Sequence, residues 1–193
     1  RLDRMRSRFG FEVGAVGLDA GYFTPAICRG LNERGIYGVI GYRRPNHREG
    51  YFYKRDYVYD RERDVYACPN GQFLAYRTTN RQGYREYASS PARCADCLMK
   101  GRCTHSANGV KVVIRHVWEG HKEAVDAHRL TETGKRLYKR RKETVERSFA
   151  DTKELHGHRY ARFRGLAKVR AQALLAGGGG NMKKMARLPG RAG

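Results

Sequence analysis

Two acids and four thiols hold the residue types from which chemistry can be built in this chain. Glu146 lies in KRLYKRRKETVERSFADTKELHGHRYARFRGL, the strongly basic stretch from Lys135 to Leu166, with Lys142 before it and Lys153 seven residues after it. Seven residues are almost two turns of an α-helix, so Glu146, Lys142 and Lys153 share a face and one acid is held among cations. Two readings fit: a solvated helix stitched by ion pairs, since Glu143, Glu146, Asp151 and Glu154 all have basic residues three or four positions away, or an acid aimed at a site. Asp19 follows the apolar run Val13 to Leu18 and precedes Ala20-Gly21. An acid at the carboxyl end of a parallel strand stands where open α/β sheets bind ligands. The same acid before a glycine also serves as a turn former that bonds its own backbone.

The thiols come next. Cys68 opens Cys-Pro-Asn-Gly, and CADCLMKGRC supplies Cys94, Cys97 and Cys103, with His105 just beyond. Four thiols near turn-forming residues, two of them two residues apart, suit a tetrahedral structural zinc site. The spacing departs from a paired CxxC ribbon, because Cys68 has no second thiol beside it, and His105 is an alternative ligand. Disulfides, disfavoured in a reducing cytosol, and free buried thiols are the competing readings. Cys28 falls inside a predicted helix and reads as a small core residue.

Regular elements must position these groups. Val13 to Leu18 reads as a buried strand. Thr24 and Pro25 start a helix that runs to about Arg34 with Gly35 past its end, and Ile36 to Tyr42 is a second strand, which completes a strand-helix-strand unit. Leu2, Met5 and Phe9 predict a helix ending near Gly10. From Arg43 to Tyr66 aromatic and charged residues alternate, and Tyr51, Tyr53, Tyr57 and Tyr59 predict hairpins whose tyrosines form a small core or a base-stacking face. Val110 to Trp118 is one more strand. A helix from about Gly134 to Leu155 puts Leu137, Val145 and Phe149 on an apolar face, with Glu146 at its edge. Arg159, Arg162, Arg164, Lys168 and Arg170 then alternate with Tyr160 and Phe163, a mixture suited to phosphate contact and stacking. A last helix begins near Gly165 and should break at Gly177 to Gly180, since each glycine costs about 1 kcal/mol in a helix interior. A loose basic tail is expected beyond. His116, His121 and His128 suggest no role.

The 193 residues allow one ordinary domain with an insertion. Forty Lys and Arg against 19 Asp and Glu give a net charge of +21, which points to a polyanionic partner, most often nucleic acid. Residues 121–193 hold 19 basic and 7 acidic side chains, so the excess gathers around Glu146. No run approaches the roughly 20 apolar residues of a membrane-spanning helix and no secretion leader is visible, so a cytoplasmic, nucleoid-associated location is expected. The opening residues, which start at Arg1, read as the back part of a longer polypeptide.

With these pieces in place, the chain resembles the carboxyl-terminal part of a bacterial insertion-sequence transposase of the DDE type. The likeness runs from VGLDAGYFTPAI through CPNGQFLAYRTTNRQGYREY and CADCLMKGRC to RRKETVERSFADTKELHGHRYARFRGL. Such transposases carry an arginine, then the catalytic glutamate, then a lysine after six intervening residues. Glu146 and Lys153 match the second half of that spacing; Arg141 departs by one residue from the first half, and Lys142 occupies the matching place.

The resemblance implies an α/β architecture, a partial ribonuclease H-like fold with an inserted β-rich, zinc-ribbon segment. It implies catalytic core in residues 1–42 and 118–176, an insertion in 43–117 and a glycine-interrupted basic tail in 177–193. Asp19 and Glu146 would be the second and third carboxylates for Mg²⁺ or Mn²⁺, Cys68, Cys94, Cys97 and Cys103 would take Zn²⁺, and Arg141, Lys142, Lys153, Arg159, Arg162 and Arg164 would hold DNA. A first aspartate is not found, which implies a truncated or degenerate copy with little cleavage of its own. A longer form would cut transposon ends and join them to target DNA as a homodimer. The rival reading is a non-catalytic zinc-ribbon nucleic-acid-binding protein.

Overall fold

In the computed structural model, which describes residues 2–44, 46 and 48–187, the chain divides into two units, residues 1–128 and 129–193. The first is mixed α/β. After helix α1 (Leu2–Phe9), strand β1 (Ala15–Leu18) runs parallel to β2 (Tyr37–Ile40), and α2 (Pro25–Asn32) makes the crossover. The signals read in the sequence work as expected: the Thr24 hydroxyl accepts the Ile27 N–H, Pro25 fills the first turn, and Gly35 takes a left-handed φ of 62° just past the helix. Arg34 donates twice to Asp3, at 2.8 Å each, and ties α1 to this layer.

Helix α5 (Glu119–His128) belongs with this layer. Val125 is buried with Cys28, Leu31, Ile36 and Ile40, and the His128 ring stacks on Tyr37 at 4.0 Å. The division of the chain falls after this helix, at His128. Gly38 is needed here because a Cβ at that position would meet Leu31 Cδ1 at 2.7 Å and Val125 Cγ1 at 3.5 Å. Gly38→Ala is expected to cost about 1–3 kcal/mol through overpacking, read as a lower urea midpoint in circular dichroism.

The aromatic segment folds as a five-stranded antiparallel meander: β3 (Val58–Asp60), β4 (Val65–Ala67), β5 (Phe73–Thr79), β6 (Tyr84–Ala88) and β7 (Val112–His116). Tyrosines form much of its core; of the four read as hairpin residues, Tyr57 and Tyr59 join it, while Tyr51 and Tyr53 precede the first strand and lie outside it. Tyr57, Tyr66 and Tyr87 are buried with Leu74 and Val113. Between β6 and β7 lie two four-residue helices, α3 (Pro91–Cys94) and α4 (Lys100–Cys103), and neither buries a residue. Glu119 joins neighbouring pieces of this unit, accepting from Lys54 Nζ at 2.8 Å and from the His116 N–H at 3.3 Å.

The second unit is helical: α6 (Glu132–Arg141), a π-helical turn (Lys142–Glu146), α7 (Arg147–Leu155) and α8 (Leu166–Met185). Helix α8 runs through Gly177 to Gly180, where a break was expected. The stretch Leu166 to Ala176 is rich in strong helix formers, and the glycines allow close approach within the unit: a Cβ on Gly179 would sit 3.2 Å from the His156 ring. The tail expected at 181–188 therefore belongs to α8 as far as Met185, and residues 188–193 lie outside the described residues. Phe149, expected on a buried stripe, is 62% exposed, and no residue of α7 is buried.

Candidate nucleic-acid interface and thiol pocket

Asp19 stands directly after β1, as the apolar run predicted, but its carboxylate accepts the Ala20 N–H at 2.6 Å and caps the short 3₁₀ turn Ala20–Tyr22. The turn-forming role is the one its geometry shows. It lies in the first unit and Glu146 in the second.

Glu146 closes the π-helical turn. A π turn takes five residues where an α turn takes four, so Arg141, five positions earlier, comes round to the same side. Arg141 Nη2 donates to Glu146 Oε1 at 3.0 Å, from a guanidinium only 11% exposed to a carboxylate that is 55% exposed. The widened backbone thus brings Arg141, one residue off the expected spacing, into contact with Glu146. Arg141 also lies 5.0 Å over the Tyr138 ring, which fixes its plane. The Lys142 side chain lies outside what is described. Lys153 is exposed and, among the described residues, pairs with no carboxylate. Among the described residues the acids of this stretch pair across longer reaches: Arg141–Glu146, Arg159–Glu154, and Lys183–Asp151 at 4.0 Å.

Arg159, Arg162 and Arg164 sit on the exposed loop between α7 and α8. One residue that sequence reasoning missed holds this loop. Gln172 of α8 donates to the carbonyls of Gly157 at 3.1 Å and Tyr160 at 2.8 Å, and its oxygen accepts the Arg162 N–H at 3.0 Å. A glutamine in a basic helix gives no local sign of this; only the loop's return over α8 does. Gly157, with φ 64°, lets the loop turn, and the Arg162 guanidinium lies against it.

In the first unit Cys68, Cys94, Cys97 and Cys103 line one cavity of about 30 Å³, together with Lys100 and Lys111. His105 is elsewhere, tilted against Tyr51 with its Nδ1 3.2 Å from the Tyr51 hydroxyl. Tyr57 Oη lies 3.1 Å from Cys103 Sγ, and Asn70 Nδ2 lies 3.5 Å from Cys97 Sγ. Burial first, then the contact with Cys103, pushes the Tyr57 phenol well above its ordinary range, so it stays protonated. Cys28 stands apart in the core, its thiol pushed up to about 11 by burial.

Residues 67–186, which include the four thiols of the cavity, Glu146, Lys153 and the arginine loop, match the family model described as Transposase DDE domain. The chain belongs to this transposase family. No curated protein and no solved structure matches it. The match leaves Asp19 outside its span.

Transposases of the DDE kind use divalent metal ions, so the acids of this transposase chain can be tested for fit. One Asp19 oxygen is taken by a backbone N–H, and Glu146 is paired with Arg141. Among the described residues no group of three or more His, Cys, Asp or Glu is arranged to hold a metal ion. As placed, these acids do not fit a divalent-metal centre. The four thiols likewise line a common space without being drawn into a closed cage. No helix among the described residues is long and apolar enough to cross a membrane.

Proposed function

We propose that this transposase chain works as a DNA-gripping element, with the second unit as its principal contact surface. The observation that carries the reading is the set of cations around and after Glu146 within the family-matched segment: Arg141 drawn to it by the π turn, an exposed Lys153, and the arginine loop that follows. The planar, donor-rich guanidinium groups of these exposed arginines suit phosphate oxygens, and binding to them releases counterions. The finer parts of the reading follow the likeness stated above. Residues 1–42 and 118–176 are pieces of a ribonuclease H-like core and 43–117 an insertion. A longer form would work as a homodimer on transposon ends and target DNA in the nucleoid, with Asp19 and Glu146 as second and third carboxylates for Mg²⁺ or Mn²⁺ only once they leave their present partners.

A second reading, a non-catalytic nucleic-acid binder built on a zinc ribbon, is favoured by the shared cavity of the four thiols. Both predict salt-sensitive duplex binding by the 193-residue chain, and failure to bind duplex DNA at low salt would sink both. Because its acids are engaged elsewhere, the chain alone is expected to nick DNA poorly in Mg²⁺; robust nicking would show that they rearrange into a working centre. Asp19→Asn and Glu146→Gln in a cleavage-competent form separate the two readings. Loss of strand transfer with binding retained supports the enzyme; unchanged strand transfer removes both acids from catalysis.

A further inference from the structure

The segment between β6 and β7 lacks the means by which small folds usually hold themselves. Helices α3 and α4 have four residues each and bury none of them, and Leu98 between them is fully exposed. Helices that short do not persist in water without tertiary anchoring. What the segment offers instead is sulfur. Cys94, Cys97 and Cys103 come from it, and Cys68 faces them from the turn between β4 and β5.

That turn is tightly built. The Gly71 N–H donates to the Cys68 carbonyl at 2.9 Å, the Cys68 N–H donates to Gln72 O at 2.8 Å, and Gly71 takes a φ of 73°. On the other wall the Cys97 N–H reaches the Cys94 carbonyl at 3.4 Å and the Lys100 N–H reaches the Cys97 carbonyl at 3.0 Å. Two turns of this kind, each presenting thiols to one cavity, are what a tetrahedral site asks of its backbone.

We propose that Cys68, Cys94, Cys97 and Cys103 close on a single structural Zn²⁺, which fastens the segment between β6 and β7 to the aromatic sheet. The cavity of about 30 Å³ is far below the roughly 300 Å³ of an organic-ligand pocket, so a small ion is the class of ligand it suits. Four thiolates around Zn²⁺ carry a net charge of −2, and Lys100 and Lys111 line the same cavity. Lys111 Nζ is oriented there by the Cys103 carbonyl at 2.9 Å. The Asn70 amide donates towards Cys97 and the Tyr57 hydroxyl lies beside Cys103, where it would donate to a thiolate, the outer contacts that hold such a ligand in place. On binding, each thiol forms an S–Zn bond and loses its proton to water, with no change of oxidation state. The thiols must draw together for this: Cys68 and Cys103 already pack against the aromatic core, and Cys94 and Cys97 lie in a part of the segment whose short helices bury no residue. The inference is independent of Asp19 and Glu146.

The test uses the reduced 193-residue chain titrated with Co²⁺ as an optical probe, then with Zn²⁺. One Co²⁺ per chain with sulfur-to-metal charge transfer and tetrahedral d–d bands is expected, displaced by one equivalent of Zn²⁺. Zn²⁺ should protect four of the five thiols from alkylation and leave only Cys28 outside the site. Cys94→Ser and Cys97→Ser should abolish the tetrahedral tetrathiolate spectrum, and Cys28→Ser should leave it intact. No charge-transfer band in the unsubstituted chain, thiols that remain alkylatable at saturating Zn²⁺, or thiols lost to disulfides that take up no metal would each overturn the proposal.

Discussion

Tyr87→Ala is expected to destabilise the first unit by about 3–5 kcal/mol, the range for removing a large buried ring from a packed core. Tyr87 is fully buried on β6, and its ring meets those of Tyr59, Tyr66 and Tyr76 at centroid distances of 5.9, 5.2 and 6.1 Å. The sheet has few aliphatic residues inside, so these edge-to-face contacts carry much of its cohesion. Tyr87→Phe separates packing from polarity. It keeps the ring but removes the hydroxyl that donates to Asp64 Oδ1 at 2.6 Å, a bond to a charged acceptor for which about 1.5–3 kcal/mol is expected. Urea unfolding of the three proteins checks both figures; equal losses for Ala and Phe would show that the ring cluster contributes nothing beyond the hydroxyl.

Asp64 gives this prediction a pH dependence. It is held at a left-handed φ of 53° at the end of the β3–β4 turn, where its carboxylate accepts from Tyr59, Tyr87 and Arg85. Burial alone would raise its pKa, but the two hydroxyls and the guanidinium outweigh it and hold the carboxyl below the ordinary aspartate value. A depressed folded pKa contributes stability that is present above the unfolded value of about 4 and is lost as pH falls through the folded one. Acid destabilisation of the sheet is therefore expected below about pH 4, and Asp64→Asn should remove that part of it.

The strand-helix-strand unit was legible because its signals are local: Thr24, Pro25 and Gly35 act within a turn of their own positions. The tyrosine sheet was legible as alternation, which left core and base-stacking face as alternatives; the burial of Tyr57, Tyr66 and Tyr87 makes it core. Other features depend on contacts that no local pattern encodes. The π turn at Lys142–Glu146 is a one-residue slip in hydrogen bonding with no mark in composition, yet it decides that Arg141 reaches Glu146. The continuity of α8 through four glycines opposes intrinsic propensity and goes with close approach at Gly179. Helix α5 joins the first unit through the buried Val125 and Glu119 and the stacking of His128 on Tyr37, contacts that a weakly amphipathic sequence does not announce. The four thiols were readable by type, and their convergence on one cavity is a property of two loops far apart in sequence.

The arginine loop allows grip and positioning to be told apart by salt. Replacing Arg159, Arg162 and Arg164 together by Ala removes three cations from the exposed loop. If each neutralises one phosphate, the slope of log K against log salt should become shallower by about 2.7, that is about 0.9 per contact. Affinity at low salt should fall by about 100-fold or more, since three charge-assisted bonds are lost. Gln172→Ala touches no charge. It removes the hydrogen bonds that hold Gly157, Tyr160 and the Arg162 backbone to α8, so the loop must be ordered by the DNA itself. The expected result is a several-fold weaker complex with an unchanged salt slope, because the same phosphates are neutralised once the loop is in place. Fluorescence anisotropy on one duplex across a salt series measures both quantities. A Gln172 variant whose slope falls with that of the triple variant would mean that the loop loses its phosphate contacts outright. An unchanged slope in the triple variant would move the DNA grip to other cations of the second unit, of which Lys153 beside Glu146 is the first to test.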